Sequence, residues 1–142
     1  RRGHEMEPIA REAHAKRIGM AIQRTGLVLT DDRRFGASAD GLIGDYGGSE
    51  YKAFVAPEKL RSIIVEGDWG DVRDQAQGCM WLSGRTWWHL CLYCPALEPA
   101  GRDLVIYEER RNDDYIEAME QDLLAFDRLV QSYQCQIENK EA

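Results

Sequence analysis

The sequence contains no apolar run near the roughly 20 residues needed to cross a bilayer. Its opening, Arg1-Arg2-Gly3-His4, lacks the charged-then-apolar layout of a secretory signal. A soluble, cytoplasmic protein without membrane attachment is expected. Proline is scarce, at 4 residues in 142, and neither an internal repeat nor a low-complexity stretch interrupts the chain, so nothing marks a linker between domains. The 4 cysteines, Cys79, Cys91, Cys94 and Cys135, lie in or beside apolar runs, and reduced thiols fit them better than a disulfide framework. An overall basic excess is also missing: the formal charge is -7, which argues against a generic nucleic-acid binder.

The charge is unevenly spread. Residues 1–34 carry eight Lys/Arg against five Asp/Glu, a net of +3, whereas residues 98–142 carry five against twelve, a net of -7. Any phosphate-facing surface should therefore lie towards the N-terminal end, with Arg11, Lys16, Arg17, Arg24, Arg33 and Arg34 as candidates, although a surface cation is more often simply solvated. With 44% hydrophobic residues the chain can bury a core, and residues 1–142 read as a single domain. It begins without methionine and goes straight into a helical pattern, so a preceding segment is expected to be missing.

Periodicity outlines the elements. Met6, Ile9, Ala10, Ala13 and Ile18 follow helical spacing and predict an amphipathic helix over His4 to Ile18. Leu27 to Thr30 is β-prone, Asp31 to Arg34 a charged turn, and Phe35 to Ile43 a strand interrupted by small residues. A turn at Asp45-Tyr46-Gly47-Gly48, with glycines available for positive φ, leads to a return strand over Ser49 to Val55. Helices are predicted over Pro57 to Val65 and Asp71 to Ser83, the second ended by Gly84. Thr86 to Tyr93 reads as a central strand with Leu104 to Glu108 beside it in a mixed sheet. Ile116, Met119, Leu123, Phe126, Val130 and Tyr133 alternate three and four apart, which predicts a long C-terminal helix with one buried face.

Asp40 sits on the first arm of this hairpin, and Glu50 and Lys52 on the second. Glu50 and Lys52 are two apart, so on a strand their side chains share a face. Two carboxylates and one ammonium would then occupy a small volume. Carboxylates are hard ligands suited to magnesium, which activates water and neutralises phosphate charge, while Lys52 would orient that water. Spacing alone favours a plainer alternative, with Asp40 in a turn and Glu50 and Lys52 as an exposed charge pair.

Several motifs beyond this spacing resemble the phage exonuclease group that includes lambda exonuclease and the YqaJ-type viral recombinase nucleases. Arg2-Gly3-His4-Glu5-Met6-Glu7 resembles the opening helix of that family, Ser38-Ala39-Asp40-Gly41-Leu42 its S-P-D-G-L, Glu50-Tyr51-Lys52 its E-x-K, and Gln75-Ala76-Gln77 its Q-x-Q helix. The chain departs from the pattern where Ala39 replaces proline, Ala53-Phe54 replaces Cys-Pro, and Val72 stands where tyrosine is common.

The resemblance implies an α/β fold with a PD-(D/E)XK, restriction-endonuclease-like core, whose mixed sheet is flanked by the opening helix, the Gln75 helix and the C-terminal helix. It implies Asp40 and Glu50 as metal ligands, Tyr51 as a backbone carbonyl ligand, Lys52 as the catalytic lysine, Glu7 as an assisting acid and Gln75 beside the lysine. The expected cofactor is Mg2+, with Mn2+ able to substitute. The expected activity is 5'-to-3' hydrolysis of one strand of linear double-stranded DNA, by a ring-shaped homotrimer that feeds single-stranded DNA to a phage annealing protein in a bacterial cytoplasm. A structure-specific endonuclease on the same core and an inactive DNA-binding or assembly subunit are the rivals.

Three other signals point to plainer roles. Cys91-Leu92-Tyr93-Cys94 has zinc or cluster spacing, but on a strand residues three apart face opposite ways. Trp81, Trp87 and Trp88 fit a core or a subunit contact better than base stacking. His4, His14 and His89 share no metal-like spacing and receive no chemistry.

Overall fold

The structure is a computed structural model that describes residues 2–24, 27–29, 36–53 and 55–141. The expected charged turn at Asp31 to Arg34, and with it Arg33 and Arg34, lies outside these residues. The chain divides into two compact units, residues 1–111 and 112–142.

The first unit is built on a mixed five-stranded sheet. After helix α1 (Arg2–Ile18) come β1 (Ile22–Gln23), β2 (Leu27–Leu29), β3 (Gly36–Ser38), β4 (Gly41–Ile43) and β5 (Gly47–Ala53). Then follow α2 (Pro57–Glu66), α3 (Asp71–Ser83), β6 (Trp87–Tyr93), a 3-10 turn at Pro95–Ala100 and β7 (Leu104–Arg110). The sheet order is β1-β4-β5-β6-β7, and β2 and β3 form a separate two-stranded ribbon. Only β5 and β6 pair in parallel; the other neighbours are antiparallel. A parallel neighbour needs a crossover, and α2 and α3 provide it.

Local chemistry accounts for the two crossover helices. Pro57 opens α2, where its missing N–H is harmless. Gly67, at φ 68°, closes α2: its N–H donates to the Ile63 carbonyl at 3.1 Å and that of Asp68 to the Ser62 carbonyl at 3.0 Å. Gly84, at φ 74°, ends α3 in the same way, with its N–H on the Met80 carbonyl at 2.9 Å. On α3, Val72, Ala76, Cys79 and Met80 fall on one helical face and are buried against Trp88, Leu90 and Leu92 of β6, with Ile63 and Trp69 completing the cluster. The facing pairs His89 with Ser49 and Cys91 with Tyr51 turn towards the other side of the sheet, where α1 packs on β5. The sheet is thus covered on both faces.

Three expectations for this unit are corrected. The strand expected from Phe35 to Ile43 is two: β3 leaves for the ribbon with β2, a bend at Asp40 follows, and β4 joins the main sheet. Gly47 and Gly48 do not supply positive φ. Gly44 does so, at 56°, whereas the other two lie within β5 because tryptophan rings cover them. A Cβ on Gly47 would lie 2.2 Å from the Trp87 ring, and one on Gly48 would lie 2.2 Å from the Trp88 ring. Finally, α1 does not bury an apolar stripe: Ile9 is 47% exposed, and the fully buried positions are Ala10 and His14. The line through Glu7, Ala10, Arg11 and His14, spaced three and four apart, is the one that faces inward.

The second unit is the helix α4 (Asp113–Glu141), which starts where Asn112 accepts the Tyr115 N–H at 3.0 Å. The expected single buried face does not extend along it, since Phe126, Leu129, Val130, Tyr133 and Ile137 are exposed. No described helix is long and apolar enough to cross a membrane.

The glycine–tryptophan contact yields a prediction. Gly48→Ala should lower the free energy of urea unfolding by about 1–3 kcal/mol through overpacking. Trp88→Leu should cost less in that background than in the unmodified protein, and simple additivity of the two would remove the contact as the cause.

Candidate active site

The last antiparallel pair of the β4–β5 hairpin is Gly41 with Ser49, so continuing that register sets Asp40 opposite Glu50. Glu50 is buried, at 3% exposure, and its carboxyl lies within hydrogen-bonding reach of that of Asp40. The Asp40 Oδ2 also accepts the Tyr51 backbone N–H at 2.9 Å. On an extended strand the N–H and C=O of one residue lie on the same edge, which turns the Tyr51 carbonyl towards the Asp40 side. Lys52, two residues on, shares the face of Glu50 but is exposed.

The opening helix anchors the bend. The Arg11 guanidinium donates to the Asp40 backbone carbonyl at 2.9 and 3.3 Å and pairs with Glu7 at 3.2 Å. Its charge also lies over the Tyr51 ring, 5.9 Å from the centroid. Arg11, expected on an open phosphate-facing surface, is instead enclosed, with 13% of its side chain exposed. Lys16, Arg17 and Arg24 are exposed, and Arg17 reaches the Leu104 carbonyl at 3.4 Å. From α3, Gln75 donates its amide to the Ser38 carbonyl at 3.0 Å and so holds the strand just before the bend. The second glutamine of the motif, Gln77, is buried and donates to Glu109 at 3.1 Å and to the Arg110 carbonyl at 2.9 Å.

Burial first, and then the neighbouring Asp40 carboxylate, push the Glu50 carboxyl up to about 10. Its thiol neighbour Cys79, with Sγ 3.8 Å from Oε1, donates only a weak hydrogen bond. Without a cation Glu50 therefore keeps its proton at neutral pH. The two carboxylates, with Glu50 desolvated, would supply with the Tyr51 carbonyl an all-oxygen donor set that fits a hard divalent cation, which would displace the proton and neutralise both acids. Glu7 adds negative potential at Glu50.

Among the described residues, no group of three or more His, Cys, Asp and Glu side chains is arranged to hold a metal. The four cysteines form no disulfide, with Cys79 and Cys91 buried, Cys94 half-buried and Cys135 exposed. Trp88 is fully buried in the core.

Sequence reasoning missed the histidines. His14 is fully buried, with Nδ1 at 2.9 Å from the Tyr51 hydroxyl and Nε2 at 2.8 Å from Nδ1 of His89. The available signal was positional: His14 follows Glu7 by seven residues and Arg11 by three, on the same helical face.

Fold and site together define a mixed-sheet α/β domain with a paired-carboxylate centre and an adjacent lysine. Residues 1–140 match the model of the YqaJ-like viral recombinase domain, and the chain belongs to that family. Its structure is similar to that of an alkaline exonuclease, LHK-Exo, from Laribacter hongkongensis. The TM-score is 0.86 at 28% identity, over 99% of this chain and 74% of that one. The same values hold for LHK-Exo in complex with dAMP. A phage-related exonuclease from Haemophilus somnus 129PT shares the fold, with a TM-score of 0.67 at 15% identity over 91% of this chain and 70% of that one. No curated protein matches the chain.

The Glu50 environment predicts a pH dependence. A folded-state carboxyl raised from 4.5 to about 10 binds a proton that the unfolded chain releases, so metal-free stability falls as pH rises between those values. His14, held down to about 4 chiefly by burial, affects stability only below its ordinary value of 6.5. Between pH 7 and 8.5 in EDTA, unfolding free energies should therefore fall by up to about 1.4 kcal/mol per pH unit. Glu50→Gln should flatten that slope. Equal slopes in the two proteins would remove the assignment.

Proposed function

We propose that this chain is a phage-type exonuclease which hydrolyses one strand of linear double-stranded DNA in the 5'-to-3' direction, with Mg2+ as cofactor and Mn2+ able to substitute. The observation that carries this reading is the convergence of Asp40 and Glu50, followed on the same strand by Lys52, in a fold that matches an alkaline exonuclease over 99% of the chain. That LHK-Exo is known with dAMP supports release of nucleotides bearing 5'-phosphates.

Asp40, Glu50 and the Tyr51 carbonyl would hold the cation. What it supplies there is charge neutralisation at the phosphate and a lowered pKa for water. Lys52, exposed beside this centre, orients the attacking water and offsets charge building on the phosphate. Glu7 sets the position of Arg11, which holds the Asp40 backbone, while Gln75 fixes the preceding strand at Ser38. The polar contacts thus keep the two carboxylates in place before substrate arrives.

The wider setting is part of the same proposal. Single-stranded DNA left by the reaction would pass to an annealing partner in a bacterial cytoplasm. A ring-shaped homotrimer would let an acidic protein stay on DNA, because enclosure of the duplex reduces the dependence on basic charge. Lys16, Arg17 and Arg24 remain the described candidates for phosphate contact.

Linear and circular duplex DNA, each with Mg2+ or EDTA, test the reading. Linear DNA should be lost only with Mg2+, circular DNA should stay intact, and Lys52→Ala should slow the loss by about 100-fold or more. Cleavage of the circle would favour a structure-specific endonuclease. DNA binding without cleavage by the unmodified protein would favour an inactive assembly subunit.

A further inference from the structure

We propose that His14 and His89 are positioning residues of the metal-binding strand, acting through the Tyr51 hydroxyl from the face of the sheet opposite Glu50 and Lys52. This rests on the nuclease reading above and assigns the two histidines a part in it.

The geometry is a part-buried relay centred on His14, which is fully buried, with Tyr51 and His89 half-buried on either side. Alternation along β5 sends Tyr51 to the α1 side of the sheet and its neighbours Glu50 and Lys52 to the α3 side. Beneath α1, the Tyr51 hydroxyl meets Nδ1 of His14 at 2.9 Å, and Nε2 of His14 meets Nδ1 of His89 at 2.8 Å. The outer nitrogen of His89, Nε2, faces the Glu108 carboxylate at 3.8 Å, and Glu108 in turn pairs with Arg110 at 2.9 Å. The His14 ring packs edge-on against Tyr51 with centroids 5.6 Å apart.

Hydrogen-bond accounting assigns one direction to this relay. A carboxylate beyond Nε2 of His89 favours the proton on that nitrogen, so Nδ1 of His89 is the acceptor. Nε2 of His14 must then donate, which leaves Nδ1 of His14 to accept the Tyr51 O–H. Each polar atom in the sequence of contacts has one role, and both imidazoles are neutral, in keeping with burial that lowers the affinity of each for a second proton.

A fully buried imidazole is a costly way to fill space that an apolar side chain could occupy, because both nitrogens of His14 must be satisfied, and His89 and Tyr51 satisfy them. What the histidine pair supplies that an apolar side chain does not is a directional anchor. Residue 51 is pinned twice, through its hydroxyl by His14 and through its N–H by Asp40 Oδ2 at 2.9 Å. Its carbonyl, the third oxygen of the donor set, belongs to the residue that both anchors hold. Loss of the hydroxyl anchor leaves the Tyr51 side chain unfixed and the peptide held by the Asp40 contact and the β6 pairing alone, which loosens the oxygen set. Partners one step behind metal ligands typically set affinity by about 10–100-fold.

The test measures metal binding without DNA as well as catalysis. In the unmodified protein, Mg2+ should raise Tm logarithmically above its Kd, as RT ln(1 + [Mg2+]/Kd) requires, and the Kd fitted from that rise should agree with the concentration giving half-maximal cleavage. Tyr51→Phe, which removes only the hydroxyl, and His14→Phe, which puts a somewhat larger apolar ring in place of the imidazole, should each raise both concentrations by about 10-fold. KM for DNA ends should stay unchanged, and the double variant should be no worse than either single. His14→Gln, whose amide both accepts and donates, should recover most of the loss.

A lower Tm with unchanged Mg2+ dependence in Tyr51→Phe would make the pair a structural filling and overturn the proposal, even if His14→Phe fails to fold. Absence of both a Mg2+-dependent Tm shift and cleavage in the unmodified protein would instead overturn the nuclease reading, and this inference with it.

Discussion

Glu50 is buried beside a second carboxylate, and much of the surrounding structure serves that arrangement. Two acids taken out of water repel each other and lose hydration, a situation that a fold tolerates only if a proton or a cation intervenes. The hairpin register that sets Gly41 against Ser49 brings Asp40 to Glu50. Arg11 ties the Asp40 backbone to α1, and Gln75 ties the strand before it to α3. The site is therefore held by contacts from both faces of the sheet, and the energy stored in the acid pair is available to whatever positive charge enters.

Local contacts and distant ones divide the fold into what patterns expose and what they hide. The helix from Asp71 to Ser83 matched its expected bounds because its apolar face and terminal glycine are adjacent in sequence. The hairpin and the mixed sheet were legible for the same reason. Phe35 to Ile43 was read as one strand because small residues carry no period strong enough to show a change of partner at Asp40. Gly47 and Gly48 looked like turn glycines, and nothing local could reveal that Trp87 and Trp88, some forty residues away, lie over them.

The acid pair and the E-x-K lysine stand out through the ordered set of motifs around them, since their spacing alone fits an exposed charge pair better. The supporting residues do not. Arg11 reads as one cation among several on a helix, and its role follows from the Asp40 carbonyl that it meets. His14 interrupts no period and matches no ligand spacing; only the approach of Tyr51 and His89 from two strands gives it partners. Buried polar residues are intelligible through what satisfies them, and those partners come from elsewhere in the chain.

The parallel pairing of β5 with β6 joins Ser49 to His89, with the whole α2–α3 crossover between them. Glu50 reaches its buried environment only when β6 and the Cys79 face of α3 are in place. A polypeptide emerging from the ribosome thus carries Asp40 and Glu50 for some forty residues of synthesis before the strand that completes the burial of Glu50 exists. During that interval both acids remain hydrated, and the mutual repulsion that burial creates has yet to appear.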